Sequence, residues 1–227
     1  MDLSKYKSLF FDVDDTLLDF KKAEKKAMTI SLKKVGIDVN DSVLATYHKI
    51  NMKYWKMLEQ GKIHRDDVLI LRHKEFLPLY GCDFDPVEFE KLYRKNLDRQ
   101  AFVIYNSRKV LAELSKNFKI YAVTNGAKNT QIQRCKKAKI DKYFIKSYIS
   151  YEIGISKPDV KFFEYIENDL KDFDKKTSLI IGDRLSSDIK LGNDYGIDTC
   201  WYNKDKKENN SDIKPTYVIN NILDLIR

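Results

Sequence analysis

The polar and apolar positions divide the chain into two parts with different periodicities. From about Phe20 to Gln100 the apolar residues recur at helical spacing, and no convincing strand interrupts them. From Phe118 onward, β-branched and aromatic runs alternate with helical stretches; the runs are FKIYAVTN, YFIKSYIS, TSLIIGD and DTCWYN. One more apolar run, Ser8–Phe11, lies near the start of the chain. Such alternation predicts a parallel sheet covered by helices on both faces.

The helical stretch separates the first predicted strand from all the others. Capping residues mark two of its helices, one predicted to begin with Asp41 and another with Asp85 as its cap. The economical interpretation is one α/β core interrupted after its first strand. We therefore predict a Rossmann-like parallel-sheet core formed by residues 1–18 and 101–227, with an inserted helical cap domain at residues 19–100.

Length and composition set the class of protein. The 227 residues, 43% hydrophobic and 33% charged, suffice for a substantial core and a small inserted domain. No apolar run approaches the roughly 18 residues of a membrane span, and MDLSKYKSLFF lacks a signal-peptide layout. The cysteines, Cys82, Cys135 and Cys200, lack CxxC spacing, which favours reduced thiols over a zinc site or disulfides. We expect a cytoplasmic protein with no membrane partner.

The net charge of +8 raises the question of a nucleic-acid partner. However, the lysines are spread along the chain in segments such as KKAEKK and KDKKE, with acids between most of them. No basic stripe with aromatic spacing is present. We expect no nucleic-acid partner and a monomer or weak homodimer.

Polar side chains follow three of the predicted strands. Asp12 comes directly after the first strand, Thr124 and Asn125 end the second, and Asp183 follows a later one. The carboxyl ends of parallel strands form the edge where ligands bind. The segment DVDDT also concentrates three acids at the end of a buried strand, where they repel one another. This cluster indicates a bound cation or a reaction.

Four segments occur in a specific order: DVDDT, VTNG, SKPD and GDRLSSD. Together they resemble the four motifs of the haloacid dehalogenase superfamily of phosphotransferases, and the insert resembles the helical cap of one subfamily. Longer stretches, among them EQGKIHRDDV and VTNGAKNTQIQR, are similar to bacterial pyrimidine 5′-nucleotidases of the noncanonical type over nearly the full chain. The resemblance implies a magnesium-dependent enzyme that hydrolyses small phosphomonoesters, preferably pyrimidine nucleoside 5′-monophosphates.

The resemblance also implies roles for the motif residues. Asp12 would attack phosphorus to form an aspartyl-phosphate, and Asp14 would protonate the leaving alkoxide and then activate water. Lys157 would bring positive charge to the nucleophile and the phosphoryl group. The residues expected to hold the phosphate are Thr124, Asn125, Gly126 and Lys157.

Oxygen ligands suit Mg²⁺, and the expected ones come from Asp12, the backbone carbonyl of Asp14, and Asp183. Asp188 is expected to orient Lys157 or a metal-bound water, and Thr16 to support the loop. We interpret Asp15 as helix-cap or turn chemistry. Arg184 departs from the family pattern, in which small polar residues are usual there. It either points away from the site or touches a substrate phosphate.

Several alternatives stay open at this point. An acid at position 14 fits phosphatases and phosphomutases, whereas dehalogenases lack one there, so a sugar-phosphate phosphatase or phosphomutase is the nearest rival. A non-catalytic binding module would be expected to have lost at least one of the core acids or Lys157. In the cap, aromatic residues either stack on a base or form the core of the helix bundle, and the seven-residue spacing of Tyr47 and Tyr54 favours packing; the set is Phe20, Tyr47, Tyr54 and Trp55.

Overall fold

A computed structural model describes all residues, 1–227, and they form two compact units. One unit consists of Met1–Asp19 and Ala101–Arg227, and the other of Phe20–Gln100. The first is a parallel α/β unit and the second is helical, so the predicted fold class is confirmed. No helix in either unit combines the length and apolar character needed to span a bilayer.

The helical unit contains four α-helices: α1 (Phe20–Lys34), α2 (Asp41–Glu59), α3 (Arg65–Phe76) and α4 (Pro86–Leu97). Asp85 caps α4 as predicted, because its carboxylate accepts two backbone N–H bonds of the first turn. The prediction of Asp41 as a cap was wrong. Asn40 is the cap of α2 and accepts from the backbone N–H of Val43 at 3.0 Å. Asparagine and aspartate cap equally well, so two in succession leave the boundary undecided in the sequence.

A charged network is buried between α3 and α4. Glu90 accepts from Arg72 at 2.6 Å, from the Nε2 of His73 at 2.7 Å and from Arg94 at 2.5 Å. Burial raises the pKa of Glu90, but its three cationic or donor neighbours outweigh burial and lower the pKa to about 2. Burial has the opposite effect on His73, because the charged form of histidine is the protonated one, and it lowers the pKa of His73 to about 4. Tyr47 stacks on the His73 ring with centroids 5.8 Å apart, so it belongs to the core of the bundle.

The α/β unit is built on one sheet of six strands, all paired in parallel. In chain order the strands are β1 (Ser8–Phe11), β2 (Lys119–Thr124), β3 (Lys146–Ile149), β4 (Ser178–Gly182), β5 (Asp198–Tyr202) and β6 (Tyr217–Ile219). Their spatial order is β3-β2-β1-β4-β5-β6, which puts β1 between β2 and β4. Phe11 at the end of β1 lies opposite Ala122 and Ile181 of its two neighbours.

Alternate residues of β1 contribute to two separate hydrophobic clusters. Leu9 and Phe11 lie in one cluster, together with Ile181 of β4. Phe10 lies in the other, where its ring stacks on Tyr121 of β2 at 5.0 Å between centroids. Because both faces of the sheet are covered, the central strands carry runs of consecutive apolar residues rather than apolar residues at every second position.

Five further α-helices complete this unit: α5 (Ser107–Leu114), α6 (Lys128–Lys137), α7 (Ser150–Ile153), α8 (Lys161–Asp169) and α9 (Lys190–Tyr195). A π-helical turn at Leu185–Ile189 precedes α9. The three cysteines are unpaired, and Cys135 and Cys200 are buried. The loops after β1, β2 and β4 carry three of the four motifs at one edge of the sheet, and the SKPD motif lies between α7 and α8.

Candidate active site

Three adjacent strands deliver polar residues to the same edge of the sheet. Asp12 directly follows β1, Thr124 is the last residue of β2, and Asp183 directly follows β4. The backbone N–H of Asp12 donates to the carbonyl of Ile181 at 2.9 Å and so extends the ladder by one residue. The position of Asp12 is therefore fixed by the sheet itself.

A buried lysine lies at the centre of this edge. The ammonium of Lys157 donates to Asp12 Oδ1 at 2.8 Å, to Asp188 Oδ1 at 2.6 Å and to the carbonyl of Val123 at 2.9 Å. Burial lowers the pKa of Lys157, but the two carboxylates outweigh burial and raise the pKa above its ordinary value. Lys157 is thus a fixed positive charge beside Asp12.

The side chain of Asn125 explains how Lys157 is held there. Its amide donates to the backbone carbonyl of Lys157 and accepts from the backbone N–H of Lys157, both at 2.9 Å. This pair of hydrogen bonds joins the loop after β2 to the loop before α8. The predicted phosphate-binding segment therefore also fixes the lysine.

The neighbouring Thr124 and Gly126 form a tight loop. The hydroxyl oxygen of Thr124 accepts from the backbone N–H of Gly126 at 2.9 Å. That N–H, predicted to face a phosphate oxygen, is engaged within the loop in this structure. The hydroxyl proton of Thr124 is not used by that bond and can donate to a ligand.

The acids form a cluster that fits a divalent cation. One carboxylate oxygen each of Asp12, Asp183 and Asp188 lies within 4.8 Å of the others. Burial raises the pKa of Asp12 and of Asp183, and the neighbouring carboxylates raise both further. The Lys157 ammonium contacts two of these three carboxylates, Asp12 and Asp188, and an oxygen-rich site with excess negative charge is the donor set that Mg²⁺ prefers.

Within this cluster Asp188 already has partners on both oxygens. Oδ1 accepts from Lys157, and Oδ2 accepts from the backbone N–H of Arg184 at 3.1 Å. The contact of Oδ1 with Lys157 is the one that the expected role of Asp188 in orienting the lysine requires. Arg184 is half-buried. Its positive charge lowers the pKa of Asp183, but burial raises that pKa by more.

The remaining residues of DVDDT have distinct surroundings. The hydroxyl of Thr16 donates to Asp12 Oδ2 at 3.1 Å, so the predicted loop support contacts the proposed nucleophile itself. Asp15 has a φ of 62°, in the left-handed region that aspartate tolerates at turns. Its carboxylate lies 3.8 Å from the ammonium of Lys204. The turn interpretation of Asp15 agrees with this backbone geometry.

Asp14 contacts two residues that the sequence interpretation did not single out. Its Oδ1 accepts from Arg134 Nη1 at 2.5 Å, and its Oδ2 accepts from Gln131 Nε2 at 2.5 Å. Both donors come from α6 and are buried. Their three-residue spacing places both on one face of α6, but such spacing is common in helices and by itself does not indicate a contact with Asp14.

A further contact that the sequence does not reveal supports the acid after β4. The indole N–H of Trp201 on β5 donates to the backbone carbonyl of Asp183 at 2.9 Å. Trp201 is buried. It therefore fixes the loop that presents the Asp183 carboxylate.

The geometry is that of an acidic, lysine-containing site at the carboxyl edge of a doubly covered parallel sheet. The family model described as haloacid dehalogenase-like hydrolase matches residues 9–202. The chain therefore belongs to the haloacid dehalogenase-like hydrolases.

Three relatives align over nearly the full chain. The HAD-hydrolase YfnB of Bacillus subtilis (strain 168) is 35% identical, covering 98% of this chain and 95% of YfnB. The pyrimidine 5′-nucleotidase PynA of Streptococcus pneumoniae (strain ATCC BAA-255 / R6) is 34% identical, covering 97% and 94%. The pyrimidine 5′-nucleotidase YjjG of Escherichia coli (strain K12) is 26% identical, covering 97% and 96%.

Solved structures share the fold of this chain. The orthorhombic crystal structure of Bacillus subtilis YfnB, bound to magnesium, has a TM-score of 0.92 at 36% identity and covers 97% of this chain and 96% of its own. L-2-haloacid dehalogenase from Xanthobacter autotrophicus has a TM-score of 0.76 at 15% identity, covering 97% and 96%. At that identity the likeness concerns the fold alone.

Proposed function

We propose that this protein is a magnesium-dependent phosphomonoesterase that hydrolyses nucleoside 5′-monophosphates, with a preference for pyrimidines, through an aspartyl-phosphate. One observation carries the proposal. The buried Asp12 carboxylate is contacted by Lys157 on one oxygen and Thr16 on the other, within a cluster of three acids. The names of the relatives PynA and YjjG support the substrate class.

In the first step an oxygen of Asp12 attacks phosphorus. The new bond joins Asp12 to the phosphoryl group while the ester bond to the leaving oxygen breaks. Asp14, two residues further on, gives a proton to that oxygen so that it leaves as an alcohol. Lys157 offsets the negative charge that accumulates where carboxylate and phosphate meet.

In the second step water replaces Asp12 on phosphorus. Asp14, now ionised, takes a proton from the water, and the bond between Asp12 and phosphorus breaks to release inorganic phosphate. The hydroxyl of Thr124 is available to donate to a phosphoryl oxygen during both steps. The second step restores the Asp12 carboxylate and the Asp14 proton.

Asp12 and Asp183 would hold magnesium, and Asp188 would hold Lys157 beside them. The bound cation would neutralise negative charge as the phosphate dianion approaches. The expected coordination by the Asp14 backbone carbonyl is part of the same proposal. Chelation by EDTA should abolish turnover, and added Mg²⁺ should restore it. Full activity in excess EDTA would contradict the metal requirement.

We further propose that the helical region at residues 19–100 acts as a cap that selects the leaving group. The core residues described above would bind the cation and the phosphoryl group. The phosphoryl group is common to all phosphomonoesters. Discrimination between a pyrimidine and a purine therefore has to come from residues outside the core motifs.

The test is phosphate release from a panel of monoesters with Mg²⁺ present. The panel contains UMP, dUMP, dTMP, AMP, GMP, a hexose phosphate and a nine-carbon sugar-acid phosphate, with Asp12→Asn as the inactive control. Pyrimidine nucleotides should exceed purine nucleotides in kcat/KM by at least about tenfold, or ~1.4 kcal/mol. Equal rates on both would refute the pyrimidine preference and keep the phosphatase mechanism.

A sugar-phosphate phosphatase is the second candidate. The observation in its favour is human N-acylneuraminate-9-phosphatase, which is 25% identical over 250 residues and covers 99% of this chain and 94% of its own. The same panel separates the two functions. A clear preference for a sugar phosphate over every nucleotide would select the second.

A further inference from the structure

The helix α6 presents two buried polar side chains to the proposed acid–base residue. Arg134 is fully buried and Gln131 is 3% exposed. Each occupies a different oxygen of Asp14, Arg134 Nη1 on Oδ1 and Gln131 Nε2 on Oδ2, both at 2.5 Å. We call Asp14, Gln131 and Arg134 the Asp14 clamp.

The loop after β2 leaves room for this arrangement. A Cβ atom added to Gly126 would lie 1.9 Å from Gln131 Nε2 and 2.5 Å from its Cδ. The glycine of VTNG is therefore placed where the Gln131 side chain passes on its way to Asp14. A larger residue at position 126 would displace the glutamine from the carboxylate.

Fold stability alone does not account for the clamp. A buried ion pair loses much of its Coulombic gain to desolvation, and apolar side chains of similar volume often serve stability equally well. The partner is also a carboxylate that our proposed mechanism uses twice. A two-point attachment fixes both the position and the rotation of that carboxylate, as catalytic geometry requires.

We propose that Gln131 and Arg134 are positioning residues, which act on the reaction through Asp14. The inference rests on the proposed phosphatase function and goes beyond it by assigning two residues of α6 to the reaction. With the clamp intact, Asp14 is held at the correct angle to give a proton to the leaving oxygen. Without it, the side chain rotates among several conformers, and only a fraction of them is productive.

Two substrates with different leaving groups distinguish a positioning role from a structural one, because a purely structural defect would lower kcat/KM for both substrates equally. An alkyl monoester such as UMP needs proton donation as its ester bond breaks, whereas 2,4-dinitrophenyl phosphate leaves without it. Arg134→Met should lower kcat/KM for UMP by at least about tenfold and leave kcat/KM for the aryl phosphate within about threefold. Arg134→Lys, which restores one cationic donor, should recover part of the loss.

A double-mutant cycle with Asp14→Asn tests whether Arg134 acts through Asp14. In the Asp14→Asn background, Arg134→Met should change kcat/KM for UMP by less than about threefold, because the positioned group is already absent. Arg108→Met is the matched control. Arg108 Nε donates to the carbonyl of Ala138 at the end of the same helix at 2.7 Å, without contacting Asp14. It should leave the ratio of the two substrates unchanged.

Equal losses on both substrates, or losses that multiply in the Asp14→Asn background, would overturn the proposal. If Arg134→Met does not fold, Gln131→Met gives the same comparison without leaving a charge unpaired. The parent enzyme reports separately on the proposed function. If another alkyl monoester is the better substrate, it replaces UMP in the comparison; if the parent hydrolyses no monoester, both the function and the clamp proposal fall.

Discussion

Replacing His73 with glutamine tests the buried network of the helical unit through its response to acid. Because Nε2 donates to Glu90, the other ring nitrogen, Nδ1, is the one that a proton would have to reach. Nδ1 is buried and has no hydrogen-bond partner. Protonation would add a charge and an unsatisfied N–H next to Arg72, so the folded state resists it. Glutamine keeps a donor for Glu90 and does not titrate.

The sign of the effect follows from the lowered pKa. Burial lowers the pKa of His73 from 6.5 to about 4, so between these values the unfolded chain binds a proton that the folded chain does not. Stability is therefore lost as the pH falls through this range. Between pH 7.5 and pH 5 the unequal proton uptake removes about 2 kcal/mol of the free energy of unfolding. The low pKa of Glu90 also makes stability fall with falling pH, but this contribution becomes large only below about pH 4.5.

The assay is urea unfolding at pH 7.5 and pH 5, followed by tryptophan fluorescence. The chain has two tryptophans, so a Trp201→Phe background leaves Trp55 of α2 as the reporter of the helical unit. In this background the unfolding free energy of the protein with His73 should fall by about 2 kcal/mol more than that of His73→Gln. Losses that agree to within about 0.5 kcal/mol would refute a buried, neutral His73.

Three further predictions concern the candidate active site. Asp12→Asn should lower kcat by at least about a thousandfold, or ~4 kcal/mol, with an unchanged circular dichroism spectrum; residual activity within about tenfold of the parent would exclude Asp12 as the nucleophile. Asp14→Asn should accumulate phospho-enzyme with an aryl phosphate, measured by rapid quench, because its hydrolysis lacks a base; no trapped intermediate would count against the two-step scheme. Trp201→Phe loses the bond to the Asp183 carbonyl and should raise the Mg²⁺ concentration for half-maximal activity by at least about threefold, with turnover retained at saturation; an unchanged Mg²⁺ titration would show that this bond does not support the metal site.

The sequence was sufficient for the central part of the fold and for placing Asp12, Thr124 and Asp183 at the carboxyl ends of neighbouring strands. Apolar runs long enough to be buried on both faces identified β1, β2 and β4, and the polar residues directly after them mark the site edge. The sixth strand, Tyr217–Ile219, was missed because three residues at the sheet edge are too short to show a period. The π-helical turn at Leu185–Ile189 was also missed, since its residues resemble those of an ordinary helix start.

The contacts of Gln131, Arg134 and Trp201 had no local signature of their own. Gln131 meets Asp14 across 117 residues of chain, and Arg134 meets it across 120. Such pairings are set by how α6 packs on the sheet, which a single sequence does not specify. A glutamine and an arginine on a helix rich in lysine have the composition of a solvated face, although here both side chains are buried.

The central position of β1 has a consequence for synthesis on the ribosome. β1 is translated first, yet its neighbours β2 and β4 follow only after the whole helical unit has been made. At roughly 5–20 residues per second, the stretch of about 170 residues from Phe11 to β4 takes on the order of 10–30 s to emerge. Until β2 emerges the apolar segment SLFF has no partner strand, and until β4 emerges one side of it stays unpaired, while the 81 residues of Phe20–Gln100 can already form their own core. The nascent chain therefore carries an unpaired apolar strand segment. We expect molecular chaperones that bind short apolar segments to bind at SLFF first.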